Sequence, residues 1–242
     1  MKYALMLVLL AVQLAADINT TVYLPQVVNG GAWETTFTIV NLSERSPGEG
    51  TLHLWNKDGS AMTFPFVGLG SGSAVSVTLP PSGMITLTTT GDPNIPTTAG
   101  WADFDVTTAN NVVISALMRQ RVAGRNDFEA FVPSRRTGIT TQVFLFDNGP
   151  ANAGFAIMNA AAQNTGTVEM IIRDENGQIL QSAMLSLSPK TQRTISLRDD
   201  YPVTAGKRGT VEFIPAPGGW FAVIGLRFNN NGPVTALDPM QR

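Results

Sequence analysis

The 242-residue chain carries 16 Lys and Arg against 18 Asp and Glu, one His and no Cys. Without Cys, disulfides, thiolate metal sites and a lipidated N-terminal Cys are excluded, and the near-neutral charge leaves no basic stripe for nucleic acid and no polybasic membrane patch. Charged residues are only 14% of the chain, below the usual ~25%, so Thr, Ser, Asn and Gly cover much of the surface, as suits exported β-proteins.

The chain opens with Lys2, an apolar run from Ala4 to Val12, and small residues at Ala15 and Ala16. This is the layout of a signal peptide over residues 1–16, cleaved before Asp17. The run is too short to span a bilayer, which takes ~20 apolar residues. No other stretch approaches that length, so the expectation is a secreted, soluble chain without stable membrane insertion.

Strand signals dominate from there. TTFTIV, GTLHLWN, AVSVTLP, GMITLTTT, AGWADFDVT and VVISALMRQR are β-branched or alternating runs separated by Gly, Pro, Asn and Asp, and Asp58-Gly59 marks a tight hairpin. PSRRTGITTQ (133–142) has no apolar alternation and places a boundary near Arg135 and Arg136. Beyond it, GFAIMN, GTVEMIIRD, AMLSLS, RTISL, GTVEFIP and WFAVIGLRF repeat the pattern, with Asn176-Gly177 in the hairpin position.

The repetition is positional. Phe37, Ile39, Asn41 and Gly59 recur 118 residues later as Phe155, Ile157, Asn159 and Gly177. After an excess in the first half around FPFVGLGSGS, Leu79 and Pro81 recur as Leu187 and Pro189, and Gly100 and Phe104 as Gly209 and Phe213. Such an ordered series indicates a duplication. Short strands with a turn every ~8–12 residues indicate an immunoglobulin-like β-sandwich in each unit. The expected fold is all-β: two tandem immunoglobulin-like β-sandwich domains arising from an internal duplication, residues 17–134 and 135–242, with a linker too short to let them separate far.

Strand parity sorts side chains between core and surface. In TLHLWN, Leu52 and Leu54 turn inward, leaving His53 and Trp55 outward; in GWADFDV, Ala102, Phe104 and Val106 turn inward, leaving Trp101, Asp103 and Asp105 outward. Trp55, Trp101 and Asp103 are therefore the candidate ligand-binding residues: an exposed Trp stacks on the apolar face of a sugar ring while a neighbouring Asp takes hydroxyl hydrogen bonds. The alternative is that each Trp covers a loop or the interdomain seam. Trp33 and Trp220, at strand edges, are assigned to packing. Arg119 and Arg227 are read as capping a sheet edge, and Asn41 and Asn159, at strand ends, as holding turns. VVISALM and FAVIGLR are apolar on both faces, which places them mid-sheet or against the partner domain.

Reactive chemistry is sparse. The lone His53 has no adjacent Ser elbow, and GLGSGS (68–73) fits no phosphate-binding or nucleophile motif, so it reads as a hairpin tip. One His and no Cys argue against zinc. FDNGPANAG (146–154) and RDENG (173–177) gather oxygen ligands without the spacing of a calcium loop. Asp103 and Asp105 would project from one strand face roughly 6–7 Å apart, a pair that could serve a glycosidase but with no cleft implied. No catalytic residue, metal or cofactor is expected.

LPQVVNGGAWETTFTIVNLSERSPGEGTLHLWNKDGSAM, followed by LPPSGMITLTTTG and GWADFDV, resembles a group of exported bacterial proteins, mostly of unknown function, built of paired immunoglobulin-like β-sandwiches; AGFAIMNAAAQNTGTVEMIIRDENG in the second half is similar to theirs too. The resemblance implies fold and export, and it brings no catalytic or binding residue. The functional expectation is a non-enzymatic exported interaction or structural module, its partner an unidentified protein or a polysaccharide. The alternatives are a carbohydrate-binding protein using the first-domain Trp residues and, third, a glycoside hydrolase using Asp103 and Asp105.

Overall fold

The computed structural model describes residues 20–107, 111–138, 140–229 and 234–241; the expected signal peptide lies outside them. Alternating apolar and polar residues, broken by Gly, Pro and Asn, give an almost wholly β structure. The first half contains β1 (Thr20–Asn29), β2 (Trp33–Asn41), β3 (Gly48–Asn56), β4 (Phe64–Phe66), β5 (Gly70–Gly72), β6 (Ala74–Leu79), β7 (Met84–Thr88), β8 (Thr98–Val106), β9 (Val112–Gln120) and β10 (Phe128–Pro133). The second contains β11 (Gln142–Asp147), β12 (Ala151–Asn159), β13 (Gly166–Asp174), β14 (Ile179–Leu187), β15 (Gln192–Ser196), a single-turn helix α1 (Leu197–Asp200), β16 (Arg208–Pro215), β17 (Phe221–Asn229), β18 (Val234–Leu237) and β19 (Met240–Gln241).

Antiparallel pairing gives the two halves one strand order. The first forms sheets β1-β8-β3-β6 and β10-β9-β2-β7; the second forms β11-β16-β13-β14, extended by β19 beyond β11, and β18-β17-β12-β15. The β4-β5 hairpin occupies the stretch by which the first half is longer. Registers coincide as well. Phe37 faces Ala116 and Leu87 as Phe155 faces Gly225 and Ile195, and Leu52 faces Phe104 as Met170 faces Phe213. The architecture is that of an immunoglobulin-like sandwich with its own order: the first strand of each half lies beside the sixth main strand, not beside the second as in an immunoglobulin constant domain.

Each pair of sheets packs through its inner faces. Phe37, Ile39 and Ile114 meet Leu52, Leu54 and Phe104 in the first core. In the second, Phe144, Phe155 and Phe213 form a ring cluster with centroids 5.3–5.9 Å apart, edge to face, the arrangement the ring quadrupoles favour. Close approach between strands requires glycine at one matched position: a Cβ on Gly100 would lie 2.0 Å from the Trp55 carbonyl oxygen, and one on Gly209 1.8 Å from that of Arg173.

Asn41 and Asn159 hold turns, as their positions suggest, and they do so while fully buried. Asn41 Nδ2 donates to the carbonyls of Ser46 at 2.9 Å and Pro80 at 3.0 Å, and its Oδ1 accepts from Ser43 N at 3.0 Å. Asn159 repeats the set with Asn164 at 2.9 Å, Leu187 at 3.0 Å and Ala161 N at 3.0 Å. One amide thus ties the end of the second strand to two loops in each half. Truncation leaves several buried backbone groups without partners, and each such group costs about 1–3 kcal/mol. Asn41→Ala and Asn159→Ala are each expected to lower stability by about 2–4 kcal/mol, read as a shift of the urea midpoint; a loss within error for both would refute the clamp.

Candidate functional site

Parity along β3 and β8 places His53, Trp55, Trp101, Asp103 and Asp105 on the outer face of the first sheet, and the register sets His53 opposite Asp103 and Trp55 opposite Trp101. β1 brings Thr21 opposite Asp105 and Tyr23 opposite Asp103. The predicted residues Trp55, Trp101 and Asp103 therefore share one cluster. Its hydrogen bonds converge on the carboxylates. Asp103 Oδ1 lies 2.8 Å from His53 Nδ1, Trp55 Nε1 donates to Asp103 Oδ2 at 2.7 Å, and Thr21 Oγ1 donates to Asp105 Oδ1 at 2.5 Å. Asp105 Oδ2 is 3.6 Å from the same His53 nitrogen.

Two expectations are corrected. Trp101 points away from its own sandwich core, as parity requires, yet it is only 1% exposed, so it is no surface ligand residue and takes the alternative place at the interdomain seam: Met158 and Ala222 are buried against it, and Tyr23, Trp55 and Ala160 pack around them. Asp103, also expected at the surface, is buried. Trp55 stacks on Trp101 with centroids 5.6 Å apart and an interplanar angle of 22°, and the Lys190 ammonium sits 4.2 Å from the Trp55 ring centroid. The seam is closed by Gln192, whose Nε2 lies within hydrogen-bond reach of the Pro25 carbonyl at 2.5 Å and of Gln26 Oε1 and the Gly100 carbonyl, both at 3.0 Å.

Burial sets the electrostatics. Loss of solvent pushes the Asp103 carboxyl above the usual carboxylate range, opposed by the His53 and Trp55 bonds and reinforced by Asp105. The Tyr23 phenol is pushed up to about 12, first by burial and then by the charges of Asp103 and Asp105, so it stays a neutral donor at physiological pH.

Chemically, His53 held at Nδ1 by a carboxylate is the orienting part of a triad. Among the described residues, no hydroxyl is hydrogen-bonded to His53. His53, Asp103 and Asp105 are also a set whose ligand atoms lie within 4.8 Å of one another. A cation there would compete with the proton that joins His53 to Asp103, while Trp55 and Thr21 donate to the other carboxylate oxygens and fix how the two carboxylates are turned. Sequence reasoning left His53 as a lone exposed residue; the signal for its contact is the shared parity of 53 with 103 and 105, readable only once β3 and β8 are known to pair.

The other singled-out residues scatter. Trp33 packs against the first core, whereas Trp220, expected to pack, is exposed. Arg119 pairs with Glu129 at 2.7 Å and lies 3.5 Å from Glu34. Arg227 borders a groove at the open edge of the second sandwich. In comparisons with known proteins, no family model matches the chain, and no curated protein matches it.

Two outcomes follow from the seam. Trp101→Ala should lower stability by about 3–5 kcal/mol in chemical denaturation, while Trp101→Phe costs much less because the buried Nε1 has no hydrogen-bond partner; equal losses would contradict this placement. Because the folded-state value of Asp103 is raised, its contribution is fully present below the unfolded value and is lost as pH rises through the folded one. Measured against Asp103→Asn, the wild type should therefore lose relative stability as pH rises above the ordinary aspartate value of about 4; a gain on the same rise would mean that the His53 and Trp55 bonds outweigh desolvation.

Proposed function

We propose that the chain is a non-enzymatic exported module of two β-sandwiches, derived by duplication of one unit, that works as an interaction or structural element at or outside the cell surface. The observation that carries this reading is the use made of the chain's reactive residues. Its one His, its stacked Trp pair and Asp103 are bonded to one another where the two halves meet, so they fix the arrangement of the sandwiches and leave sheet faces and loops to meet a partner. The apolar N-terminal leader pattern and the resemblance to exported paired sandwiches support export; no helix among the described residues is long and apolar enough to cross a membrane.

A polysaccharide remains the second reading of the partner, with Trp55 as the residue to test, since it is partly exposed. Against it, the Trp55 ring is already engaged by Trp101 and Lys190. The hydrolase reading would need both carboxylates free to act, whereas Thr21, His53 and Trp55 occupy them.

The test is a screen of the purified full chain and a Trp55→Ala variant for retention on insoluble polysaccharides and for glycosidic turnover, together with N-terminal sequencing of the exported product. The expected result is a chain beginning at Asp17, no turnover, and retention indifferent to Trp55. Retention lost in Trp55→Ala would replace the reading with carbohydrate binding, and turnover abolished by Asp103→Asn would replace it with the hydrolase.

A further inference from the structure

The two halves share strand order and register but differ in what covers them. Across the seam the second half presents Met158, Ala160, Lys190, Gln192 and Ala222. The first half receives them on the β1 bulge at Pro25 and Gln26 and on Trp55, Gly59, Gly100 and Trp101. The fit at Gly59 is close, since a Cβ there would lie 2.9 Å from the Lys190 carbonyl oxygen.

Each half also owns the surface that the other uses, and both are open. The shared register puts Val40, Leu42, Ser82, Met84 and Val113 of the first half where the second has Met158, Ala160, Lys190, Gln192 and Ala222. Ser82 and Lys190 even share a φ of 56°. Instead of being covered, Leu42 is 60% and Met84 64% exposed, and Val113 is exposed beside them. In the second half, Leu145, Arg173, Gly177, Gly209 and Thr210 stand where the first has the bulge, Trp55, Gly59, Gly100 and Trp101. Leu145 is 61% exposed, nothing lies within 4 Å of a Cβ on Gly177, and four of these five residues line a groove of 680 Å³.

The geometry points to head-to-tail association of copies of this chain, in which the Leu42–Met84–Val113 patch of one copy seats in the Leu145–Gly177–Thr210 groove of the next. This repeats between molecules the contact that joins the two halves within one. The occupant is argued from that contact: the surface shaped to enter such a groove is present, uncovered, on every copy. The interface is heterologous, with different patches meeting, so addition leaves one free patch and one free groove and continues until the geometry closes or concentration limits it. The inference deepens the interaction-module reading and rests on it, naming the partner as the chain itself.

Sedimentation velocity of the full chain over a concentration series tests it, using a patch variant (Leu42→Lys with Met84→Lys) and a groove variant (Leu145→Lys). These side chains are exposed, and an unchanged thermal midpoint checks that both variants fold. The wild type should grow from monomer to dimer and larger species with concentration, and each variant alone should sediment as monomer. An equimolar mixture of the two should give dimers and stop there, because only one intact patch and one intact groove remain to meet. Monomer at every wild-type concentration, a closed dimer unaffected by the groove variant, or a mixture that stays monomeric would each overturn the inference. None of these results touches the module reading itself, which stands or falls on turnover and Trp55-dependent retention.

Discussion

The stacked pair Trp55 and Trp101 is the contact on which the arrangement of this molecule depends. A sandwich needs only one face of each sheet for its core, and the other ordinarily meets water. Two indole rings on one outer face make that face costly to hydrate, since each aromatic carries roughly 150–250 Å² of surface. Covering them with Met158, Ala160 and Ala222 removes that surface, and Gln192 then satisfies backbone carbonyls that the seam would otherwise strand. Beside this contact the first core itself reaches into the second half: Ala156, Ile224, Leu226 and Val234 belong to the same buried cluster as Phe37 and Phe104.

The comparison between halves separates what the fold requires from what the seam requires. Asn41 and Asn159, and Gly100 and Gly209, are the same residues doing the same work, because any departure would leave turn carbonyls unpaired or drive a Cβ into a neighbouring strand. The outer slots are free to differ. Where the first half sets Trp55 against Asp103, the second sets Arg173 against Glu212 at 3.1 Å, exchanging an aromatic contact for an ion pair within one cross-strand geometry.

Much of the fold was legible because its causes are local. Alternation gave the strands, Asn-Gly and Asp-Gly gave the turns, and the matched spacing of Phe, Asn and Gly revealed that one strand order occurs twice. Parity also placed Trp101 on the correct face of β8. It could not say what lies over that face, which depends on residues 57 to 121 positions away in the chain, and so parity alone leaves Trp101 open between a surface aromatic and a seam residue, the second being its position, while Trp220, expected to pack, is exposed. The contact between His53 and Asp103 was hidden for a related reason, since strand pairing across fifty residues has no signature in either segment alone.

The continuity of the first core with residues of the second half also bears on how such a chain acquires its structure. Synthesis delivers the N-terminal half first, with β3 and β8 able to pair as soon as both have emerged. The indole-bearing face must then wait in water until β12 and β17 arrive to cover it. During that interval the nascent sandwich carries a sticky surface with no partner in its own chain, the kind of transient exposure that invites misassembly between neighbouring molecules. The order of the two halves along the polypeptide therefore makes the interval before the second half emerges the vulnerable stage of its biogenesis.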